Sequence, residues 1–221
     1  MKRGALLLTA ILLGAIALGA IEIVSDAATG GVASRVSFPA WLAANLGAAP
    51  AQALIERFTG AGSTARDVLE GRLALARGDE ATASRLLVAA GDAVATRALV
   101  DRIDAAGDYA RARDTQRALV LQLEGAGGNR TVRADALWRL GQLDAEVGYR
   151  EPPHRALEWR RALDDYRRAL ELVPLSVTIL LAAGNQALLL GDRHAAIEYF
   201  ERALASDPAS IAAREGLQRA R

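Results

Sequence analysis

Arg161-Ala162-Leu163-Asp164-Asp165-Tyr166-Arg167-Arg168-Ala169-Leu170-Glu171-Leu172-Val173-Pro174 lines up with Ala195-Ala196-Ile197-Glu198-Tyr199-Phe200-Glu201-Arg202-Ala203-Leu204-Ala205-Ser206-Asp207-Pro208. Ala162, Tyr166, Ala169 and Pro174 recur as Ala196, Phe200, Ala203 and Pro208, each at an offset of 34, and Arg168-Ala169-Leu170 returns as Arg202-Ala203-Leu204. A fixed period of this length marks stacked copies of one supersecondary unit. Upstream of each copy lies a second apolar stretch with a small residue inside it and a Gly stop. These are Leu137, Leu140-Gly141 and Gly148 in one, and Leu180, Ala183-Gly184 and Gly191 in the other.

Each repeated residue type has a physical reason. Gly141 and Gly184, with Ala162 and Ala196, remove bulk where two helices cross. Tyr166 and Phe200 fill the space between a helix pair and its neighbour, and Ala169 and Ala203 let the next helix approach. Pro174 and Pro208 lack an amide donor and stop the second helix. Asp192, directly after Gly191, is suited to a turn and an N-cap. On these residues the chain resembles the tetratricopeptide repeat family, whose unit is a 34-residue helix–turn–helix of pattern W-x2-L-G-x2-Y…A-x3-F…P. The resemblance implies an all-α, TPR-like solenoid that binds other proteins or peptides.

The first copy departs from the pattern. It has a nine-residue insertion, Tyr149 to about Glu158, carrying Pro152-Pro153 and His154 with Trp159 beside it. The family's Trp is replaced: Leu137 takes its buried place and Trp138 falls one residue later. Weaker units precede. Gly107-Asp108-Tyr109 with Ala112 predicts helices near 93–106 and 108–123, and Gly78-Asp79-Glu80 with Ala83 and Ala90 predicts helices near 64–77 and 79–90. Gly125-Ala126-Gly127-Gly128 breaks the weak pair (63–124) from the strong pair and its C-terminal capping helix (131–221), that helix running from Ala209 to Ala220.

Composition agrees with helices. Of 221 residues, 52% are hydrophobic but only 5% aromatic, so the apolar content is Ala, Leu, Val and Ile, which suits helices better than sandwiches or barrels. There is no Cys, which excludes disulfides, thiolate metal sites and thiol catalysis. Formal net charge is +1, which speaks against a nucleic-acid partner. Residues 1–55 carry five charged side chains, Lys2, Arg3, Glu22, Asp26 and Arg35, whereas the remainder is densely and evenly charged.

Gly4 to Ile21 is an 18-residue run whose only polar side chain is Thr9. Extended to Val24 it spans roughly 31 Å as a helix, the thickness of a hydrocarbon core. Two readings fit. One is a retained transmembrane anchor over 1–24 that contacts lipid. The other is a cleaved signal peptide, with Leu18-Gly19-Ala20 or Ser25-Asp26-Ala27 as the cleavage site, whose apolar region is typically shorter. The length favours the anchor. Lys2 and Arg3 before the run place the N-terminus in the cytoplasm and the body outside it, which for a bacterial chain means the inner membrane and periplasm. Residues 25–62 read as a juxtamembrane linker with short helices. Its Phe38 and Trp41 either join a cap on the first repeat or rest at the membrane interface.

No catalytic constellation emerges, so the expectation is a non-enzyme without cofactor or metal. Gly125–Gly128 lacks the strand and Lys of a phosphate loop. Asn129-Arg130-Thr131 fits a glycosylation pattern but reads as linker. His194 reads as surface, His154 has no second ligand nearby, and Asp164-Asp165 read as a solvated polar face. The remaining candidate is the concave face of the first helices. It should carry Arg97, Asp101 and Asp104; Trp138, Gln142 and Glu146; and Leu181, Asn185, Leu188 and Leu189. By the resemblance, an Asn there contacts partner backbone, and Trp138 is an anchor candidate. For Leu188 and Leu189, packing under the chain's own capping helix is the rival reading. Two functions fit: a membrane-tethered scaffold, or a permanent accessory subunit of a membrane complex.

Overall fold

The computed structural model describes Ala43 and residues 46–221. Among these, no helix is long and apolar enough to cross a membrane. The expected span 1–24 and the linker residues Phe38 and Trp41 lie outside the described residues. The described chain is helical throughout: α1 (Ala48–Phe58), α2 (Thr64–Arg77), α3 (Glu80–Ala90), α4 (Ala93–Ala105), α5 (Tyr109–Gly125), α6 (Arg130–Arg150), α7 (Arg155–Leu172), α8 (Val177–Leu189), α9 (Arg193–Ser206) and α10 (Ile211–Ala220), with one 3-10 turn at Pro152–His154. It divides into two compact units, one ending at Leu99 and one running from Val100 to Arg221.

One local device starts and stops most of these helices. Gly78, Gly91, Gly107 and Gly191 have φ between 68° and 86°, the left-handed region that other residues avoid. In each case the following Asp caps the next helix. Asp79 accepts from the Thr82 amide, Asp92 from Ala95, Asp108 from Arg111 and Asp192 from Ala195, at 3.0–3.2 Å. The Thr82 bond holds the Asp79 carboxyl below its ordinary range. Asn129 is also a cap, its Oδ1 accepting from the Thr131 amide at 2.8 Å, so the glycosylation-like triplet is the start of α6.

In the first unit α1 packs on α2 and α2 on α3. Ala51 and Ile55 of α1 are buried against Leu73 of α2, with Leu54 and Leu69 at the edge. Gly71 sits under Leu87: a Cβ there would lie 2.8 Å from the Leu87 side chain. Arg72 of α2 reaches the turn before α4, donating from Nε to Asp92 at 2.7 Å, and both side chains are under a tenth exposed. Asp92 therefore caps one helix and neutralises a buried Arg on another.

In the second unit α5 packs on α6, α6 on α7, α7 on α8, α8 on α9, and α10 closes on α9 and α8. The small-under-large contact recurs. A Cβ at Gly141 would lie 2.5 Å from Tyr166, and one at Gly184 would lie 2.7 Å from Phe200. The last helix uses the other side of the same ring, for a Cβ at Gly216 would lie 2.4 Å from Phe200. Phe200, Ala162, Ala169, Ala196 and Ala203 are all fully buried. In α5 the aromatic's place, four residues after Ala112, is held by Gln116, which is buried and donates to the Ala136 carbonyl at 2.8 Å.

The insertion does not form a loop. It lengthens both helices of one hairpin, to 21 residues in α6 and 18 in α7, and turns at Pro152–His154. Gly148 and Trp159 repeat the Gly141–Tyr166 contact seven residues further out on each helix, with a Gly148 Cβ only 2.5 Å from the indole. The indole Nε1 donates to the Ala145 carbonyl at 3.3 Å, and Tyr149 meets the ring edge-on with centroids 5.2 Å apart.

Candidate interaction surface

Four of the residues expected on the concave face come together. Asp101 and Asp104 from the end of α4, and Gln142 and Glu146 from α6, line an open cleft of about 380 Å³ with Ala105, Tyr109, Arg139 and Leu143. Arg139 fixes its centre: its guanidinium donates to Asp101 at 2.7 Å and to Asp104 at 2.9 Å. At the rim Arg150 pairs with Glu146 at 2.7 Å and stacks over the Tyr109 ring, 3.8 Å from its centroid. The cleft thus offers three carboxylates and an amide on rigid helices beside Tyr109, one face of which Arg150 covers, with the acidic charge partly matched by two guanidinium groups. Such a surface can take hydrogen-bond donors and a cationic or aromatic side chain of a partner segment.

No feature of the residue spacing points to Arg139 or Arg150 at this place. Their role depends on how α4, α5 and α6 pack, which spacing alone does not specify. Tyr109 follows a Gly-Asp turn, and its place in the cleft depends on the same packing.

The other candidates lie elsewhere. Trp138 is half-buried on α6, four residues before Gln142 and so on the same helix face. Arg97 belongs to the first unit, where it is half-buried on α4. On α8, Leu181 and Leu188 are half-buried, Leu189 is 40% exposed and Asn185 is exposed. Asn185 is engaged from within the chain: Arg219 of α10 donates to its Oδ1 at 2.9 Å. His194 is exposed, 3.9 Å from Glu198.

One expectation is corrected. Asp165 is not on a solvated face; it is 6% exposed, while Asp164 is exposed. A polar residue reads as outward when only one neighbouring helix is considered, but α7 is covered on two sides, by α6 and by α8. Asp165 belongs to a buried group with Asp144 of α6, which is 0% exposed, and Glu158 of α7, which is 5% exposed. Asp144 stands three residues after Gly141, where the repeat pattern has Tyr. Arg117 of α5 donates to both its oxygens, at 3.0 and 3.3 Å. Arg168 bridges Asp165 at 2.9 Å and Glu124 of α5 at 2.5 Å, and Arg161 binds Glu158 at 2.7 Å. Burial raises the Asp144 carboxyl to about 7 against the pull of Arg117, with Asp165 and Glu158 pushing the same way as burial. Burial also raises Asp165. Among the described residues no set of His, Asp and Glu has the geometry to hold a metal ion.

No protein-family model and no curated protein matches the chain. Among solved structures, the crystal structure of APC/C hetero-tetramer Cut9-Hcn1 is similar, with a TM-score of 0.50 and 18% identity over 84% of this chain and 35% of that one. The chain therefore spans about a third of the chain it resembles, and at that identity the likeness concerns the fold alone. With the hairpin geometry above, it supports an all-α fold of tetratricopeptide type.

Proposed function

We propose that this protein is a membrane-tethered scaffold whose helical repeats hold another protein outside the cytoplasm. The observation that carries the binding part is the cleft of Asp101, Asp104, Tyr109, Gln142 and Glu146, a partly open surface built on rigid helices. The tether rests on the Gly4–Ile21 run and its preceding Lys2 and Arg3. Partners are proteins or peptides, and lipid is met through residues 1–24. Trp138, Leu181 and Asn185 extend the contact area on the same unit, with Asn185 becoming available where a partner displaces Arg219.

A second reading, a permanent subunit of a membrane complex, is favoured by large apolar side chains outside the cleft. Leu175 is 77% exposed, Ile211 67% and Leu121 63%. Purifying the tagged full-length chain from native membranes in mild detergent separates the two. A scaffold loses its partner on extended washing, whereas a permanent subunit keeps it in fixed ratio. Recovery of the chain alone, under every washing condition and after cross-linking, would refute both.

A further inference from the structure

Arg150 lies two residues past Gly148, where the first helix of the unit would stop, so the insertion that lengthens α6 is what places it on a helix at all. From there its guanidinium lies over the Tyr109 ring of α5, 3.8 Å from the centroid, while its Nε donates to Glu146 one turn back at 2.7 Å. An aromatic face and a carboxylate together suit a planar guanidinium better than an ammonium. The cleft thus already holds a guanidinium, supplied by its own chain. It is held at the surface: the Arg150 side chain is 51% exposed and that of Glu146 39%, and a solvated ion pair of this kind contributes little. Arg139 is fixed instead, 14% exposed between Asp101 and Asp104.

We propose that the cleft recognises an arginine side chain of a partner protein, and that Arg150 is an internal placeholder which the partner's arginine displaces. The inference rests on the reading of this cleft as the binding face and names the chemistry of what enters it. Charge selects the occupant. With Arg150 swung out, Arg139 is left to match the three carboxylates of Asp101, Asp104 and Glu146. A neutral side chain that pushed Arg150 aside would leave Glu146 without its cation. An incoming arginine restores both the ion pair with Glu146 and the stack on Tyr109, whereas lysine restores the charge without the stack.

Two further groups fit this occupant. Among the described residues nothing donates to Oδ1 of Asp104, so the cleft is short of donors rather than of acceptors. Gln142, one turn before Glu146 on the same face of α6, offers an amide to the backbone of the segment that carries the arginine. Because Arg150 and the partner's arginine compete for one place, the apparent affinity is reduced by the fraction of molecules in which Arg150 occupies it. Removing Arg150 therefore strengthens binding, the reverse of what loss of a contact residue does.

The test titrates the full-length chain in detergent micelles with short blocked Gly/Ser peptides carrying one central Arg, Lys or citrulline, read by NMR. The Arg peptide should bind saturably, the Lys peptide more weakly, and the uncharged citrulline peptide not at all. Arg150→Ala should tighten the Arg peptide about fivefold, since the stack and ion pair no longer have to be broken first. Arg160→Ala removes the same charge from an exposed position outside the cleft and should leave the affinity unchanged. Adding Glu146→Gln to Arg150→Ala should weaken binding at least about tenfold. Equal binding of Arg and citrulline peptides, no gain in Arg150→Ala, or an equal gain in Arg160→Ala overturns the proposal, as does binding weaker than about 10 mM in every form. The scaffold reading fails separately, by loss of any partner from native membranes. An Arg peptide that behaves as expected without such a partner supports the arginine site and not the scaffold; partner capture through the cleft without peptide binding supports the scaffold and overturns the arginine site.

Discussion

Gly141 has no room for a side chain because Tyr166 occupies its place: a Cβ there would lie 2.5 Å from the ring and 3.0 Å from the Ala162 carbonyl oxygen. The pair explains the spacing of the repeat. A helix that presents a glycine can receive a large side chain from its antiparallel partner, and burying that side chain contributes on the order of 2 kcal/mol. The same relation joins Gly184 to Phe200, Gly148 to Trp159 and Gly71 to Leu87.

Replacing Gly141 with Ala should destabilise the chain by about 1–3 kcal/mol, since neither the ring nor the backbone carbonyl can withdraw cheaply. Gly125, at the end of α5, has nothing within 4 Å of its would-be Cβ. Gly125→Ala should be neutral or stabilising by up to about 1 kcal/mol through helix propensity. Urea midpoints of the two variants check this, and equal losses would count against the contact.

Asp92 and Asp108 cap α4 and α5 with the same geometry, but only Asp92 also holds a buried Arg, Arg72. Asp108→Ala should cost about 1 kcal/mol, the value of a cap. Asp92→Ala should cost about 3 kcal/mol or more, because it leaves a buried guanidinium without its carboxylate. The difference between the two unfolding free energies isolates the ion pair.

The topology implied by Lys2, Arg3 and the apolar run has a direct readout. A reporter active only outside the cytoplasm, fused after Arg221, should be active, and its activity should drop when Lys2 and Arg3 are both replaced by Glu. An inactive reporter of that kind, with an active cytoplasmic one at the same site, would reverse the orientation. N-terminal sequencing of the mature chain separates anchor from cleaved signal.

The hairpins were legible in the sequence wherever a rule of spacing governs them. The 34-residue offset singled out Tyr166 and Phe200 as space-filling side chains and Gly141 and Gly184 as close crossings, though not that each ring lies over the glycine of its own hairpin, and the Gly-Asp pairs marked where helices turn. The long hairpin was readable in principle, since Gly148 and Trp159 lie seven residues outward from Gly141 and Tyr166; the departure from the 34-residue unit shows an insertion, not that it extends both helices. Asp165 could not be placed, because its burial depends on coverage from a second helix, α8, and on the pairing of its carboxylate with Arg168. The cleft was half legible. Asp101, Asp104, Gln142 and Glu146 follow from helix periodicity, but Arg139 and Arg150 are fixed by pairing across helices, which has no period.

Binding of a partner protein at the face bearing the cleft is the core of the proposed function. Its most direct measurement is the amount of cross-linked partner recovered per folded molecule from native membranes. The variants to compare are Gln142→Ala combined with Glu146→Ala, Trp138→Ala, and Leu121→Ala, the last at an exposed site outside the cleft. The Gln142 and Glu146 double variant and Trp138→Ala should each reduce recovery at least about tenfold, a loss of about 1.4 kcal/mol, while Leu121→Ala matches the wild type and all melting temperatures stay within a few degrees. Wild-type recovery from both cleft variants, or a loss that only tracks a lowered melting temperature, would contradict it.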